Sequence, residues 1–347
     1  MKTMKLDSGI PSDLTQVPAR ARALEEAGYD GLLTAETGHD PFLPLVLAAE
    51  HTQRIELGTG IAVAFARNPM LLANIGHDLN AYSKGRFTLG LGSQIRAHIT
   101  KRFSMPWSHP AARMREMILA TRAIWDCWYQ KKPLDFRGEF YQHTLMTPFF
   151  TPTNVEYGPP KVFLAAVGPL MTEVAGETCD GLLCHSFTTE KYVREVTMPS
   201  VERGLAKAGR RREDFEVKIP VFVVAGDTEE QCKKSRQRVK EQIAFYGSTP
   251  AYKGVFDVHG WGELQGELNA MSKRGQWKEM GEVIDDQVLR AFAVESETPR
   301  GVAAGIVGRF GDLVDRTTWA YYQPSPEKEG ELIAAFRELG AKAAKTA

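Results

Sequence analysis

Short apolar runs alternate with segments of helical periodicity along most of the chain. The runs have the length and composition of buried strands, and they lie at residues 4–7, 31–34, 55–59, 86–91, 161–165, 181–184, 217–224 and 317–322. Each run is followed by apolar residues at helical spacing, and the seventh run is followed by two such segments. The helical segments lie at residues 18–27, 44–51, 68–83, 111–128, 169–178, 190–208, 228–246, 299–310 and 326–344. The pattern therefore predicts repeated strand–helix units.

Several predicted helices carry recognisable end signals. Gly28 follows the first helix in the position of a C-cap, and Pro69 falls in the first turn of the third helix. Asp227 and Thr228 are candidate N-caps for the helix that follows the seventh strand. These signals support the order of elements independently of the apolar pattern.

Eight such units predict a single TIM-type (β/α)8 barrel domain over residues 1–347. Continuous apolar runs such as KIPVFVVA are typical of strands buried on both faces, as in a parallel sheet. Two stretches interrupt the alternation, at about residues 129–160 and 247–297, and we interpret them as insertions after strands 4 and 7. A doubly wound open sheet is the alternative, although no GxGxxG lies between a strand and a helix.

Composition narrows the classes of partner. The 43 basic and 43 acidic residues give no net charge, which argues against nucleic-acid binding and against attraction to an anionic membrane. No signal-peptide pattern and no long apolar run occur, and the four cysteines form no CxxC pair, so we expect a cytoplasmic protein. The eight histidines show no HExxH or HxxxH spacing, so no metal site is expected.

The predicted carboxyl ends of the strands are where a barrel enzyme holds its active site. These positions are rich in Gly, Ser, Thr and His, with few carboxylates and no lysine. Paired acids, metal ligands or a Schiff-base lysine are therefore not indicated. Chemistry supplied by an organic cofactor fits this composition better than chemistry supplied by side chains.

Three segments, taken in order, resemble the bacterial luciferase-like superfamily, and within it the coenzyme F420 (deazaflavin)-dependent oxidoreductases. They are GYDGLLTAETGHD, IELGTGIAVAFARNPMLLAN and GRFTLGLGSQ. The later segments FLAAVGPLMTEVAGETCDGLL and ESETPRGVAAGIVGRFGD are similar to the same family. The resemblance covers nearly the whole chain.

The resemblance implies a cofactor site on the first strands. Gly60 and Ile61 occupy the place of a non-prolyl cis peptide that forms a bulge behind the flavin or deazaflavin ring. Glu36 stands where the family has an acidic residue next to the ring. Thr37 stands where many relatives have histidine, and His39, two residues on, is the candidate to replace that histidine as a proton donor.

The resemblance also assigns a phosphate site. Ala166, Val167 and Gly168 match the segment whose backbone amides hold the cofactor phosphate, at the start of a helix that begins with proline. Val167 replaces one of two glycines that relatives often have there.

The loop after the fourth strand lacks an acid that some relatives use in catalysis. Gly92, Ser93 and Gln94 stand there, and Arg96 is a candidate cofactor contact. His185, after the sixth strand, is the second candidate proton donor. The aromatic stretch 252–261 is either a lid over the ring pocket, a plug on the barrel rim or part of a subunit contact.

The resemblance implies hydride transfer between coenzyme F420 and a small organic substrate, in a homodimer. An FMN-dependent monooxygenase on the same scaffold is the nearest alternative. A flavin-binding protein without turnover is a further alternative, because the usual acid and histidine are absent at the positions of Ser93 and Thr37.

Overall fold

The computed structural model describes residues 4–345, and the side chains of residues 4–340. Eight parallel strands form its centre: β1 (Lys5–Gly9), β2 (Gly31–Thr34), β3 (Glu56–Thr59), β4 (Phe87–Gly92), β5 (Lys161–Ala166), β6 (Gly181–Cys184), β7 (Glu216–Val224) and β8 (Arg316–Ala320). Each strand pairs in parallel with the next along the chain. The last strand pairs with the first, Arg316 opposite Lys5. The sheet is therefore a closed barrel, as the alternation predicts, and an open doubly wound sheet is excluded.

Helices surround the barrel. The main ones are α1 (Val17–Ala27), α2 (Leu43–His51), α3 (Pro69–Tyr82), α4 (Pro110–Gln130), α5 (Pro169–Thr178), α6 (Met198–Lys207), α7 (Glu229–Gly247), α8 (Pro299–Phe310) and α9 (Pro326–Lys345). A short helix, Glu190–Tyr192, and a π-helical turn, Val193–Thr197, lead into α6. Within residues 4–345, none of the helices is long and apolar enough to cross a membrane.

Most of the end signals in the sequence act as expected: Pro69 opens α3, and of the two candidates Asp227 and Thr228, Thr228 is the N-cap of α7. Gly28 ends α1 with φ +91°, a left-handed conformation that suits glycine. The Asn68 side chain accepts a hydrogen bond from the Leu71 N–H at the start of α3, and Thr228 caps α7 by accepting from Gln231. Local sequence therefore fixes where these helices begin and end.

Strand boundaries differ from the prediction at both ends of the chain. The first strand continues two residues beyond Asp7 to Gly9, and the last ends at Ala320, before Tyr321 and Tyr322. Asp7, the last residue of the predicted run 4–7, consequently lies inside the strand and not at its carboxyl end. Tyr321 leaves the sheet because its φ of +65° is left-handed and incompatible with a strand.

A buried ion cluster fills the lumen near the amino ends of the strands. Arg316 donates to both oxygens of Asp7 at 2.6 and 2.9 Å, and Lys218 Nζ lies 2.8 Å from the same carboxylate. A Cβ at Gly31 would come within 2.5 Å of Asp7, so glycine there leaves room for the pair. The remaining cavity is about 20 Å³, room for about one water molecule, so the lumen is no ligand channel.

Two shorter segments carry structure of their own. Between α4 and β5 a small hairpin pairs Phe136–Arg137 with Gln142–His143. Between α7 and α8 lie four short helices, Lys253–Asp257, Gly262–Lys273, Met280–Val283 and Asp286–Phe292. A three-residue strand, Ala293–Glu295, follows them and pairs with the carboxyl end of β7. The sequence pattern did not predict this strand, because its three residues follow a helix directly.

The helices of the second segment build a separate apolar cluster over the carboxyl end of the barrel. Its largest members are aromatic and fully or almost fully buried: Phe187, Tyr192, Phe222, Phe256 and Phe292. Phe222 follows Lys218 at even spacing on β7, and Lys218 lines the lumen, so Phe222 also points inward. The cluster therefore fills one side of the barrel mouth.

Candidate active site

A bulge follows β3 at the carboxyl end of the barrel. The Gly60–Ile61 peptide bond is cis, the geometry that the resemblance implies. The Gly60 N–H donates to the Thr34 carbonyl at 2.6 Å, and the Glu36 N–H donates to the Ile61 carbonyl at 3.1 Å. The next two residues, Ala62–Val63, pair with the end of β4. The bulge is thus held by both neighbouring strands.

The Glu36 side chain anchors this bulge. Its Oε2 atom accepts from the Val63 N–H at 2.6 Å and from Arg67 Nη1 at 2.6 Å, and the side chain is only 8% exposed. Arg67 also reaches Asp40 at 3.2 Å and lies over the Phe42 ring. Glu36 therefore positions both the Val63 backbone and the Arg67 side chain, a role that the sequence did not predict for it.

Small residues occupy the barrel mouth on the side of this bulge. Inward positions alternate along a strand, and Asp7 and Leu33 line the lumen, so Gly9 and Ala35 are the next inward residues. Both are exposed although they end strands of a closed barrel. Gly92 is a third small residue at the mouth. A Cβ there would lie 2.9 Å from the Ile61 side chain, so glycine leaves room for that side chain. The mouth is open here and closed on the opposite side by the aromatic cluster.

The amino end of α5 lies next to this opening in the sheet order, directly after β5. Gly168 is its N-cap residue, Pro169 opens the helix, and no side chain caps the free N–H groups of the first turn. A Cβ at Gly168 would meet no atom within 4 Å. Neither packing nor backbone conformation requires glycine there, and a free helix amino end favours an anion.

The loop after β4 is basic. Arg96, Lys101 and Arg102 are exposed, and Arg102 donates to the Thr37 carbonyl, which ties this loop to the loop after β2. Ser93 Oγ donates to the Gln94 carbonyl, so this hydroxyl serves the turn. Among the residues whose side chains are described, no ion pair involves these three basic residues.

The two candidate proton donors lie in different surroundings. His39 is exposed in the loop after β2. His185 follows β6 and packs against Tyr246 and Tyr252, with ring centroids 4.5 and 5.1 Å away. Burial lowers the pKa of His185 to about 4, so its ring is neutral at physiological pH.

The remaining predicted site residues lie between these features. Ala166 ends β5, and the Val167 carbonyl accepts from the Tyr192 hydroxyl at 3.0 Å. In the aromatic stretch, Tyr252 packs against His185, whereas Trp261 stacks on His259 at 4.2 Å. This stretch packs as part of the apolar cluster.

Sequence reasoning missed Arg67, Tyr246 and Tyr321. Arg67 is the only charged residue in the apolar stretch 57–67, and that was the signal available for it. Tyr246 and Tyr321 had no local signal, because their positions depend on how α7 and β8 meet across the mouth.

The chain is a closed (β/α)8 barrel with exposed small residues on one side of its mouth, next to an uncapped helix amino end of the kind that favours an anion. The chain belongs to the luciferase-like monooxygenase family, whose model matches residues 3–316. The family indicated by the sequence motifs is therefore confirmed.

Individual relatives agree with this placement. An uncharacterized protein of Mycobacterium tuberculosis is 51% identical over 336 residues, which are 97% of this chain and 98% of that protein. The 5,10-methylenetetrahydromethanopterin reductase of Archaeoglobus fulgidus is 27% identical, over 80% of this chain and 81% of its own. The solved F420-dependent tetrahydromethanopterin reductase of Methanopyrus kandleri has the same fold, with TM-score 0.77 at 20% identity over 96% of this chain and 97% of that one. Monooxygenases and such reductases are oxidoreductases, and so is this chain.

Proposed function

We propose that the protein is a coenzyme F420-dependent oxidoreductase that transfers hydride between the deazaflavin and a small organic substrate. The observation that carries the proposal is the open side of the mouth, where Gly9 and Ala35 are exposed and Gly92 leaves room for the Ile61 side chain of the bulge. A sequence relative supports F420 over FMN: the putative coenzyme F420-dependent oxidoreductase of Mycobacterium tuberculosis is 27% identical over 77% of this chain and 80% of its own.

The residues present fit such a group. Gly60 and Ile61 would support the ring from behind, with Glu36 and Arg67 fixing their backbone. The N–H groups at the start of α5, together with the space beside Gly168, would hold a phosphate. When bound, F420 would supply a hydride donor or acceptor. The chain would contribute orientation, exclusion of water by the aromatic cluster and hydrogen-bond donors to the substrate.

The basic loop supports F420 in particular. F420 carries a glutamate-bearing tail beyond its phosphate, so it is more negative than FMN. Arg96 and Lys101 are exposed near the mouth and have no ion-pair partner among the described side chains, which leaves them free for such a tail. Electrostatic contacts of this kind weaken with added salt.

Fluorescence titration with F420 and with FMN tests the proposal. We expect F420 to bind more tightly than FMN, and Arg96→Ala with Lys101→Ala to weaken F420 several-fold and FMN less. Lys233→Ala is the matched control, because Lys233 is an exposed cation on α7, already paired with Glu229.

Two results would overturn the proposal. Tight binding of FMN with no binding of F420 would support the monooxygenase alternative, to which the family description points. Binding of F420 without reduction or oxidation of any carbonyl or alcohol substrate would support the cofactor-binding protein without turnover.

We also propose a cytoplasmic homodimer. The adjacent helices α2 and α3 expose Leu43, Val46 and Leu71, of which Leu43 is 57% and Leu71 56% exposed. Such residues on neighbouring helices fit a subunit contact. The four cysteines are unpaired, which fits a reducing compartment. Leu43→Glu with Leu71→Glu should halve the mass measured by light scattering; an unchanged mass would place the contact elsewhere.

A further inference from the structure

Three aromatic side chains at the closed side of the mouth have no part in the cofactor site proposed above. His185 follows β6, Tyr246 lies near the end of α7 and Tyr321 follows β8. Tyr246 meets the His185 ring edge-on, with an angle of 89° between the planes. Elements far apart in sequence therefore bring one imidazole and two phenols together.

The tautomer of His185 is determined by its backbone contact. The Phe187 N–H donates to His185 Nδ1 at 3.0 Å, so Nδ1 is the acceptor and the proton of the neutral ring lies on Nε2. Among the described residues, none forms a hydrogen bond with Nε2. Nε2 is also not one of the fully buried side-chain atoms that lack a hydrogen-bond partner, so it is accessible. His185 thus offers a neutral N–H donor to the mouth. Burial alone lowers the pKa of His185, so no charged neighbour contributes to the shift.

Two tyrosines lie on this side of the mouth. Tyr246 contacts the His185 ring, with centroids 4.5 Å apart. Burial and the neighbouring Tyr246 raise the pKa of Tyr321, so its hydroxyl stays protonated. Arg238 lies 5.3 Å over the Tyr321 ring and helps to hold it.

Tyr321 keeps this position at a conformational cost. Its φ of +65° is unfavourable for a bulky side chain, and such residues persist mainly where the surrounding structure requires them. Apolar aromatics pack against both tyrosines: Phe187 lies 6.4 Å from the Tyr246 ring and Phe222 lies 5.5 Å from the Tyr321 ring. The Tyr246 donor therefore stands on an apolar base, whereas the charge of Arg238 lies over Tyr321.

We infer that His185 Nε2 and the Tyr246 hydroxyl, supported by Tyr321, bind the oxygen of a neutral carbonyl or alcohol substrate whose apolar body packs on this aromatic wall. The inference rests on the proposed function for its catalytic meaning, but the site itself needs only these residues. Neutral N–H and O–H donors suit a carbonyl oxygen, and the apolar base disfavours a carboxylate or an ammonium group.

NMR titration of the His185 imidazole resonance tests the inference, with and without F420. The probes are cyclohexanone, cyclohexanecarboxylate and cyclohexylammonium, which share a ring and differ in charge. We expect cyclohexanone to shift the resonance and to bind more tightly than either ion. Equal or tighter binding of an ion would overturn the inference.

Tyr246→Phe and Tyr321→Phe remove only the hydroxyls. We expect the dissociation constant of cyclohexanone to rise roughly three- to tenfold in Tyr246→Phe and less in Tyr321→Phe, as for loss of one neutral hydrogen bond. Tyr82→Phe, at an exposed tyrosine on α3, is the control and should change nothing. Unchanged binding in Tyr246→Phe would overturn the inference.

The two proposals fail separately. If neither F420 nor FMN binds, the proposed function is wrong, while the ketone titration without cofactor still tests the oxygen site. If F420 binds and cyclohexanone leaves the His185 resonance unmoved, the oxygen site is wrong and the proposed function stands.

Discussion

Glu36 illustrates how one side chain links the sequence motif to the shape of the site. Its carboxylate joins the Val63 backbone and Arg67, two points on the segment that follows the bulge. A buried acceptor with two charged or backbone partners cannot be removed without leaving both unsatisfied. We therefore treat Glu36 as a positioning residue for the cofactor site.

Two substitutions of Glu36 should distinguish the loss of its charge from the loss of its hydrogen bonds. Glu36→Gln keeps an acceptor oxygen for Val63 and should cost about 1–2 kcal/mol of unfolding free energy; Glu36→Ala leaves the Val63 N–H and Arg67 unpaired and should cost about 2–4 kcal/mol. Both are measured by urea unfolding. The exposed Glu263→Ala on the helix Gly262–Lys273 serves as control, and equal effects of all three changes would refute the anchoring role.

The neutral His185 gives a pH prediction. Burial lowers its folded pKa from 6.5 to about 4, so between these values the unfolded chain takes up a proton that the folded chain does not. The contribution of His185 to stability is therefore complete above pH 6.5 and is lost as pH falls toward 4. NMR should show its resonance flat from about pH 8 to 5.5; a midpoint near 6.5 would contradict this.

How far single residues could be predicted depends on the distance of their partners. The cis peptide at Gly60–Ile61 was implied by the family resemblance and is present. Arg67 and Tyr321 were missed, because what they do depends on Glu36 and Tyr246, 31 and 75 residues away in sequence. Local patterns carry no information about such pairs.

At the scale of elements, apolar runs identified every barrel strand and both ends of β2 and β6, but not the ends of the first and last strands. The first strand runs two residues past the predicted Asp7 because its last residues, Ser8 and Gly9, pair with Leu32 and Leu33. The strand Ala293–Glu295 was missed because its pairing with β7, and not its own composition, makes it a strand. Where a strand ends depends on its pairing in the folded barrel, whereas whether a strand forms depends largely on its own sequence.

The turn into α5 offers a test in which stability and binding are separated. Gly168→Ala adds a Cβ that meets no protein atom within 4 Å, so unfolding free energy should change by less than about 0.5 kcal/mol. If a cofactor phosphate occupies this space, F420 affinity should fall by about tenfold or more. Gly266→Ala, equally open but on the helix Gly262–Lys273, is the control; unaltered affinity in Gly168→Ala would move the phosphate elsewhere.

At the scale of the whole molecule, the ion cluster in the lumen joins strands from both ends of the chain. Burial would raise the pKa of Asp7, but the charges of Lys218 and Arg316 hold it well below its ordinary value of 3.8. The contribution of the Asp7 carboxylate to the free energy of unfolding is therefore complete above pH 3.8 and is lost as the pH falls below that value. The apolar pattern does not indicate this cluster, because its members are single polar residues within an apolar run or, for Arg316, just before one.

Asp7→Asn should destabilise the barrel strongly. It leaves Lys218 and Arg316 buried with reduced compensation, which typically costs about 3–5 kcal/mol. Asp135→Asn, which removes a surface pair with Arg137, should cost at most about 1 kcal/mol. Denaturant unfolding compares the two; a similar small loss for both would mean that the cluster adds little.

The cluster also has a consequence for the growing polypeptide. Asp7 is made among the first residues, but the guanidinium that grips both of its oxygens belongs to Arg316, in the last strand. Until that arginine has left the ribosome, the first strand lacks its neighbour in the ring and its carboxylate lacks its main partner. Seven finished strands are thus an open sheet with a charged edge, and we expect the barrel to close only when synthesis is nearly complete.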